Sequence, residues 1–338
     1  MRRRRQRTGR IAAGLRRREF PGGKEFFVKR HEYHDSVLLG ETVEALRPAE
    51  GGRIVDGTLG GGGHSEALLE RGARVIGVDQ DAEAIEYARE RLAGWGDRFL
   101  AVRSNFAEVV PVLMGMGICA VDGVLLDLGV SSRQLDAAGR GFSFRQEGPL
   151  DMRMDARGSV TAADLVNEWG ASELERIFRE YGEEPHARRI AGAVVRARER
   201  GVLRTTLELA AVVEGVVPRT GRIHPATRVF QALRMAVNRE MEVLENGLVN
   251  LMGLLKPGGR MAVITFHSLE DRMVKRYFSR ITAETVDRPE WPEARRNPDW
   301  AAVRVTRKAV VAGVAETANN PRARSAKLRV VEKRREES

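Results

Sequence analysis

The stretch RIVDGTLGGGGHSEALLERGARVIGVD, residues 53–79, decides how the chain is read. Arg53 to Asp56 is a short strand-type run that passes into Gly57-Thr58-Leu59-Gly60-Gly61-Gly62-Gly63. His64 to Glu70 reads as a helix closed by Gly72, a residue that tolerates the left-handed conformation at a helix end. Ala73 to Asp79 is a buried-type strand ending in an acid. Glycines at the first turn let a ligand approach the backbone closely, and the helix start that follows offers unpaired N–H groups. A glycine run alone means no more than a tight turn. Asp79 sharpens it, because an acid at the end of the second strand can accept both hydroxyls of a ribose. Together they point to a nucleoside cofactor.

Working outward, Asp81 to Leu92 reads as a helix with Asp81 as its N-cap. Phe99 to Val102 and Val121 to Asp127 are further strand-type runs, separated by a helical stretch around Phe106 to Met114. Strands alternating with helices predict a parallel sheet covered on both faces. Asp127 closes the fourth strand, so it faces the same crevice as Gly60 and Asp79; the plain alternative is a turn former or helix cap. After Asp127 the alternation stops. From Leu135 to Arg222 there is no convincing strand, while Thr161 with Asp164, Ser172 with Glu175 and Thr205 with Glu208 match capping boxes. The sheet pattern then resumes with a long helix from Pro225 to Leu255, a turn at 256–259 and a strand from Arg260 to Phe266. Ser268 with Asp271 opens a last helix, and short strands follow near Val303 to Arg307 and Lys327 to Val331. The expected organisation is a basic extension without regular structure (1–31), a sheet domain in two parts (32–134 and 223–332) around a helical insertion (135–222), and a tail (333–338).

Composition limits the classes. At 42% apolar and 31% charged residues, with no apolar run of membrane-spanning length, the chain reads as an ordinary globular protein. Residues 1–30 hold twelve Lys or Arg against two acids, which equals the net charge of +10 of the whole chain. The body is therefore neutral and the basic character is an extension, able to hold a polyphosphate without reading sequence. Transit peptides are also Arg-rich, but Gly, Pro and acids near its end allow no sustained amphipathic helix, so a cytoplasmic protein is expected. Cys119, the single cysteine, rules out an internal disulfide, and its apolar surroundings predict a packed, inert thiol. His31 and His34 share a helix face but lack further ligands, so no metal site is expected.

The dinucleotide fingerprint fails because Ser65 stands where its last glycine belongs, and no P-loop occurs. S-adenosylmethionine is the better candidate. The strings DGTLGGGGHS (56–65), DLGVSSRQLD (127–136), GFSF (141–144), PLDMRMD (149–155), YGEE (181–184), HPATRVFQALR (224–234), PGGR (257–260), FHSLEDR (266–272) and NPRARSAKLR (320–329), in this order, resemble the bacterial 16S rRNA N4-methylcytidine methyltransferase family. The resemblance covers residues 34–332. It implies a class I, Rossmann-like S-adenosylmethionine methyltransferase sheet interrupted by an all-helical domain. It also implies cofactor contacts at Gly62, Gly63, His64, Asp79, Phe106, Asp127 and Gln134, to which the loop reading adds Gly60. The implied partner is small-subunit rRNA or the assembled small subunit, with no membrane; the oligomeric state stays open, a homodimer included.

Chemistry suggests what such a site must do. Cytosine N4 is a poor nucleophile because its lone pair is delocalised, so an acceptor for an N4 hydrogen would help; Asp127 is the candidate catalytic residue. His267, Ser268, Glu270 and Asp271 follow a strand and could line the substrate side, or simply cap a helix. Arg140, Arg145, Arg153 and Arg157, with Phe142 and Phe144, could grip phosphates and stack a flipped base, or form a solvated loop. Other readings are a non-catalytic ribosome-assembly factor and a DNA amino-methyltransferase. Asp79 and Asp127 argue against the first, and Leu128-Gly129 in place of a Pro-Pro-aromatic string argues against the second.

Overall fold

Ile54 and Val55, Val75 and Ile76, Leu125 and Leu126, and Val263 and Ile264 are buried pairs whose members belong to different core clusters. Adjacent residues feed opposite faces, as they must in strands of a sheet covered on both sides. The computed structural model describes residues 15–19, 25–29, 36–219 and 224–335. Within the basic extension, β1 (Leu15–Glu19) pairs antiparallel with β2 (Glu25–Lys29) where no regular structure was expected. His31 and His34 lie outside the described residues.

The sheet domain begins with α1 (Leu39–Leu46), followed by β3 (Arg53–Asp56), α2 (Gly63–Glu70), β4 (Arg74–Asp79), α3 (Ala82–Leu92), β5 (Phe99–Arg103), α4 (Val109–Gly115) and β6 (Val121–Asp127). The insertion carries α5 (Ser132–Asp136), α6 (Ala162–Glu168), α7 (Ala171–Glu180), α8 (Ala187–Arg198), α9 (Thr206–Glu214) and α10 (Ala226–Val237). The sheet resumes through α11 (Glu240–Leu254), β7 (Leu255–Thr265) and α12 (Ser268–Thr282). A small ribbon of β8 (Thr285–Val286) and β9 (Arg295–Arg296) leads to β10 (Ala302–Arg304), β11 (Val310–Val311), α13 (Val314–Asn319) and β12 (Lys327–Lys333). The strand order is β10-β12-β7-β6-β3-β4-β5, with β11 also on β12. β7, β6, β3, β4 and β5 are parallel, and β12 runs antiparallel to β7. From β3 the chain winds outward to β4 and β5, then returns to place β6 on the other side. The strand order therefore reverses between β3 and β6, where an open sheet leaves a crevice at its carboxyl edge. Gly57 starts that crevice; a Cβ there would lie 2.6 Å from Leu126 Cδ2.

The insertion has its own core, built around Leu165, Phe178, Ile190 and Leu209, each fully or almost fully buried. The capping boxes at Thr161/Asp164 and Thr205/Glu208 form as expected. Elsewhere the expected start residues are displaced. Gly170, not Ser172, caps α7, with Glu173 reaching back to its N–H at 2.8 Å. His267, not Ser268, caps α12 and pairs with Glu270, while Asp271 binds Arg329 at 2.7 Å. The long helix expected over 225–255 breaks at Asn238-Arg239, where Arg239 takes φ 50°. Asn238 is the cause: its amide accepts from Met154 N at 2.8 Å and donates to Met152 O at 2.8 Å, tying the chain to the PLDMRMD loop. α10 consequently packs in the core of the insertion although it follows the expected boundary at 222. Cys119 is exposed and not packed, because it falls in the turn before β6 and not in the strand.

Candidate active site

A cavity of about 290 Å³ opens at the carboxyl ends of β3, β4 and β6. Gly60, at φ 49°, donates its N–H to Asp79 Oδ2 at 2.9 Å, and Asp81 N donates to Oδ1 at 2.9 Å. The glycine loop thus aims the Asp79 carboxylate, and each oxygen keeps a lone pair for a ligand. Burial pushes Asp79 up to about 6 despite those two bonds. Gly62, at φ 75°, is the N-cap of α2, and Gly63 approaches so closely that a Cβ would sit 2.2 Å from Ser36 Oγ.

Asp127 lies across the cavity. Its Oδ1 is buried and has no hydrogen-bond partner among the described residues, and Oδ2 lies 3.5 Å from His64 Nδ1. His64 Nε2 is 3.1 Å from the Val37 carbonyl, which can only accept, so that nitrogen carries hydrogen and Nδ1 faces the acid. Burial raises Asp127 well above the usual carboxylate range, and the charges of Asp56 and Glu270 add to the effect. Asp56 is itself pushed up to about 6 by burial, although Ser65 Oγ donates to it at 2.7 Å.

The far wall is a charged network. Arg234 binds Glu240 through two bonds of 2.7 and 2.8 Å, and His267 Nε2 lies 3.0 Å from Glu270 Oε1. Burial raises Glu270, but the His267 bond and charge, the Phe266 N–H and Arg234 outweigh it and leave the acid below its ordinary value. Glu240, His267 and Glu270 bring possible ligand atoms within 4.8 Å of one another. Arg234 already occupies both oxygens of Glu240, which makes the group a neutralised ion-pair network with a cation built in.

Of the expected contacts, Gly60, Gly63, His64, Asp79, Phe106, Asp127 and Gln134 all line this one cavity. Gly62 does not; its Cα faces Leu92 and Ala88, where its positive φ serves the helix start. Gly61, left out of the expected set, does line it. Gln134 is largely engaged, accepting from Ser131 N at 3.1 Å and donating to Asp81 at 3.0 Å. Of the FHSLEDR residues, His267 and Glu270 line the cavity, whereas Ser268 binds Glu183 at 2.7 Å. Arg234, Asn238 and Glu240 were missed: HPATRVFQALR was read as a string, and nothing in local spacing says that a broken helix brings Glu240 back to Arg234.

Phe106 packs edge-on to α11, where a Cβ on Gly247 would lie 2.3 Å from its Cε2. Gly247→Ala should therefore push the ring into the cavity. We expect about tenfold weaker cofactor binding by calorimetric titration, with a stability loss of about 1–3 kcal/mol from overpacking.

The residues present fit S-adenosylmethionine. Asp79 is oriented for ribose hydroxyls, the glycine loop allows close backbone approach, and the acid-rich crevice with the orphaned Asp127 oxygen suits a ligand that brings positive charge. A parallel sheet with a glycine turn after its first strand, and acids ending its second and fourth, defines a class I S-adenosylmethionine-dependent methyltransferase. The family model of the MraW methylase family matches residues 31–334, and the chain belongs to that family. It is 55% identical over 303 residues to ribosomal RNA small subunit methyltransferase H of Anaeromyxobacter sp. (strain Fw109-5), covering 89% of this chain and 97% of that one. It is 51% identical over 304 residues to the protein of the same name from Syntrophotalea carbinolica, covering 88% and 97%.

Proposed function

We propose that the enzyme transfers a methyl group to the exocyclic N4 of a cytidine in the decoding region of small-subunit rRNA, as a cytoplasmic protein. The names of the relatives support the RNA class, and the unpartnered, buried Asp127 Oδ1 is the observation that carries the chemistry. When bound, S-adenosylmethionine supplies an electrophilic methyl group. Asp79 would hold the ribose, the loop Gly60 to Gly63 the amino-acid end, and Phe106 would flank the adenine. Asp127 accepts a hydrogen from N4, which concentrates the nitrogen lone pair, and it takes up the proton the amine sheds. His64 Nδ1 stands 3.5 Å from the other oxygen of Asp127, so the ring confines the side chain on that side before substrate arrives. Glu240, whose oxygens each keep a lone pair beside Arg234, would present an acceptor to a base edge from the opposite wall. Among the described residues no helix is long and apolar enough to cross a membrane.

The test is methyl transfer from labelled S-adenosylmethionine to small subunits from a strain lacking this gene, with naked rRNA in parallel, followed by nucleoside analysis. Label in N4-methylated cytidine is expected. Label in another nucleoside would overturn the N4 reading, and no label despite cofactor binding would move the chain to the assembly-factor reading.

A further inference from the structure

The four arginines expected to grip phosphates have separate fates. Arg153 and Arg157 pair with Asp151 and Asp155, each at 2.6 Å, and Arg145 stands exposed in the same loop. Arg140 turns inward and joins the two sides of the cavity. Its Nη1 donates to Asp81 Oδ2 at 2.9 Å, while Nη2 donates to the carbonyls of Arg153 and Met154 at 3.0 and 3.2 Å. Its own carbonyl accepts from Met152 N at 3.0 Å. Glu83 Oε1, 3.8 Å from Nη1, is half exposed and the weaker neighbour.

On the donor side, Asp81 leads to the ribose acid. Its backbone N–H donates to Asp79 Oδ1 at 2.9 Å, and its Oδ1 caps α3 by accepting from Glu83 N at 3.1 Å. On the substrate side, residues 141–161 form no helix or strand, so their buried backbone groups need partners outside a regular ladder. Met152 is fully buried there at φ 61°, a conformation that a non-glycine residue keeps only when its surroundings hold it. Arg140 and Asn238 do the holding: Asn238 donates to Met152 O and accepts from Met154 N, both at 2.8 Å. Met154 lines the cavity, where its Sδ lies 3.3 Å from Gln80 Nε2. Glu240 follows Asn238 by two residues. One run of bonds therefore links Asp79 to the opposite wall, and the Arg140 guanidinium is its joint.

We infer, on the reading of the cavity as shared by the methyl donor and a cytidine, that Arg140 is a positioning residue of the transfer. One nitrogen of its planar fork holds the donor-side acid, and the other holds the loop that carries Met154 toward the substrate wall. In-line attack on the sulfonium methyl requires the two partners in register, and a displacement of about 1 Å costs about 10²-fold in rate. Asp79 places the donor and the opposite wall places the base, so the tie between them sets the register. A lysine cannot replace it, because one ammonium on a flexible stem lacks the rigid fork that serves acid and carbonyls together.

The test uses the full chain, labelled S-adenosylmethionine and small subunits from a strain lacking this gene. Each rate is divided by the amount of protein that binds the donor at saturation, which removes losses due to misfolding. Arg140→Ala should lower kcat so counted by about 10²-fold, with the Kd for S-adenosylmethionine within a few-fold of the parent's. Arg140→Lys should recover little of the rate. In Asp81→Asn the side-chain oxygen still caps α3, since Asn caps as well as Asp, but an N–H now faces Arg140. That variant should slow transfer comparably, and the double variant with Arg140→Ala should be no slower than either alone. An unchanged kcat per donor-binding molecule in Arg140→Ala would overturn the inference and leave Arg140 a purely structural anchor. Additive losses in the double variant would overturn it too, since Arg140 would then act apart from Asp81. Should Arg140→Ala yield no folded protein, Asp81→Asn decides alone, and an unchanged kcat there is the overturning result. Donor binding by the unaltered chain without any transfer would fell the substrate reading first, and this inference with it.

Discussion

Asp127→Asn should lower kcat by about 10³-fold while changing S-adenosylmethionine affinity by no more than a few-fold. Proton acceptors placed at a reacting group contribute about 10²–10⁴ in rate, and an amide keeps the size of the side chain but cannot take a proton. Asn can still accept one hydrogen bond, so part of the polarising effect survives; Asp127→Ala should be worse. A parallel rise in the Kd for S-adenosylmethionine, with kcat preserved at saturation, would show that Asp127 serves the cofactor and not the amine.

The pH dependence gives a second readout. Burial, then the charges of Asp56 and Glu270, hold the Asp127 pKa well above the usual carboxylate range. The ionised form is the acceptor, so kcat should rise with pH through that raised pKa and then level off. Stability runs the other way. An acid whose pKa is higher folded than unfolded binds its proton more tightly in the folded state. The folded protein is therefore penalised as pH climbs from the unfolded value of about 3.9 through the raised one, and the penalty is constant above it. Asp127→Asn removes the penalty, so its melting temperature should exceed that of the parent at pH 8, and the gap should close near pH 4. A gap independent of pH would mean that Asp127 does not titrate in this window.

What the sequence disclosed, and what it hid, follows the range of the interactions. The crevice was legible because strand ends, glycine turn and acids are local signals: Asp79 and Asp127 each end an apolar run, and Gly60 follows within the turn after the run that ends at Asp56. Helix starts were legible when the cap was a hydroxyl with an acid three residues on, as at Thr161 and Thr205. They were missed where a glycine or a histidine caps, as at Gly170 and His267, since neither residue announces the role. The substrate wall was hidden for another reason. Arg234 and Glu240 meet only because Asn238 breaks the helix, and Asn238 breaks it because Met152 and Met154, more than eighty residues earlier, occupy its amide. Periodicity carries no trace of such a bond. The loop arginines show the same limit in part: Arg153 and Arg157 pair with Asp151 and Asp155 two residues back, whereas Arg140 is committed by Asp81, which only the tertiary structure brings near.

Asp79 offers the sharpest test of the cofactor site. Asp79→Asn should weaken S-adenosylmethionine binding by about 10²–10³-fold, the loss expected when two charge-assisted bonds to a ribose diol are degraded. Its apo stability should change little, because two effects oppose one another. Holding the acid at about 6 and not 3.8 costs the folded protein on the order of 3 kcal/mol at neutral pH, and the amide escapes that cost. The same amide has one acceptor oxygen for the N–H groups of Gly60 and Asp81, so one of them loses its partner at about 1–3 kcal/mol. The balance shifts with pH: below about 3.8 the parent acid is protonated whether folded or not, its penalty vanishes, and the variant should then be the less stable of the two. Binding carries the matching signature. Ribose hydroxyls favour the ionised carboxylate, so the parent should bind S-adenosylmethionine more tightly as pH rises through about 6, releasing a proton on binding below that point. Calorimetry in buffers of different ionisation enthalpy would detect the release, and Asp79→Asn should lose that component while any contribution from Asp127 remains. If the variant binds as tightly as the parent, the ribose is held elsewhere, and the glycine turn positions Asp79 for the loop alone.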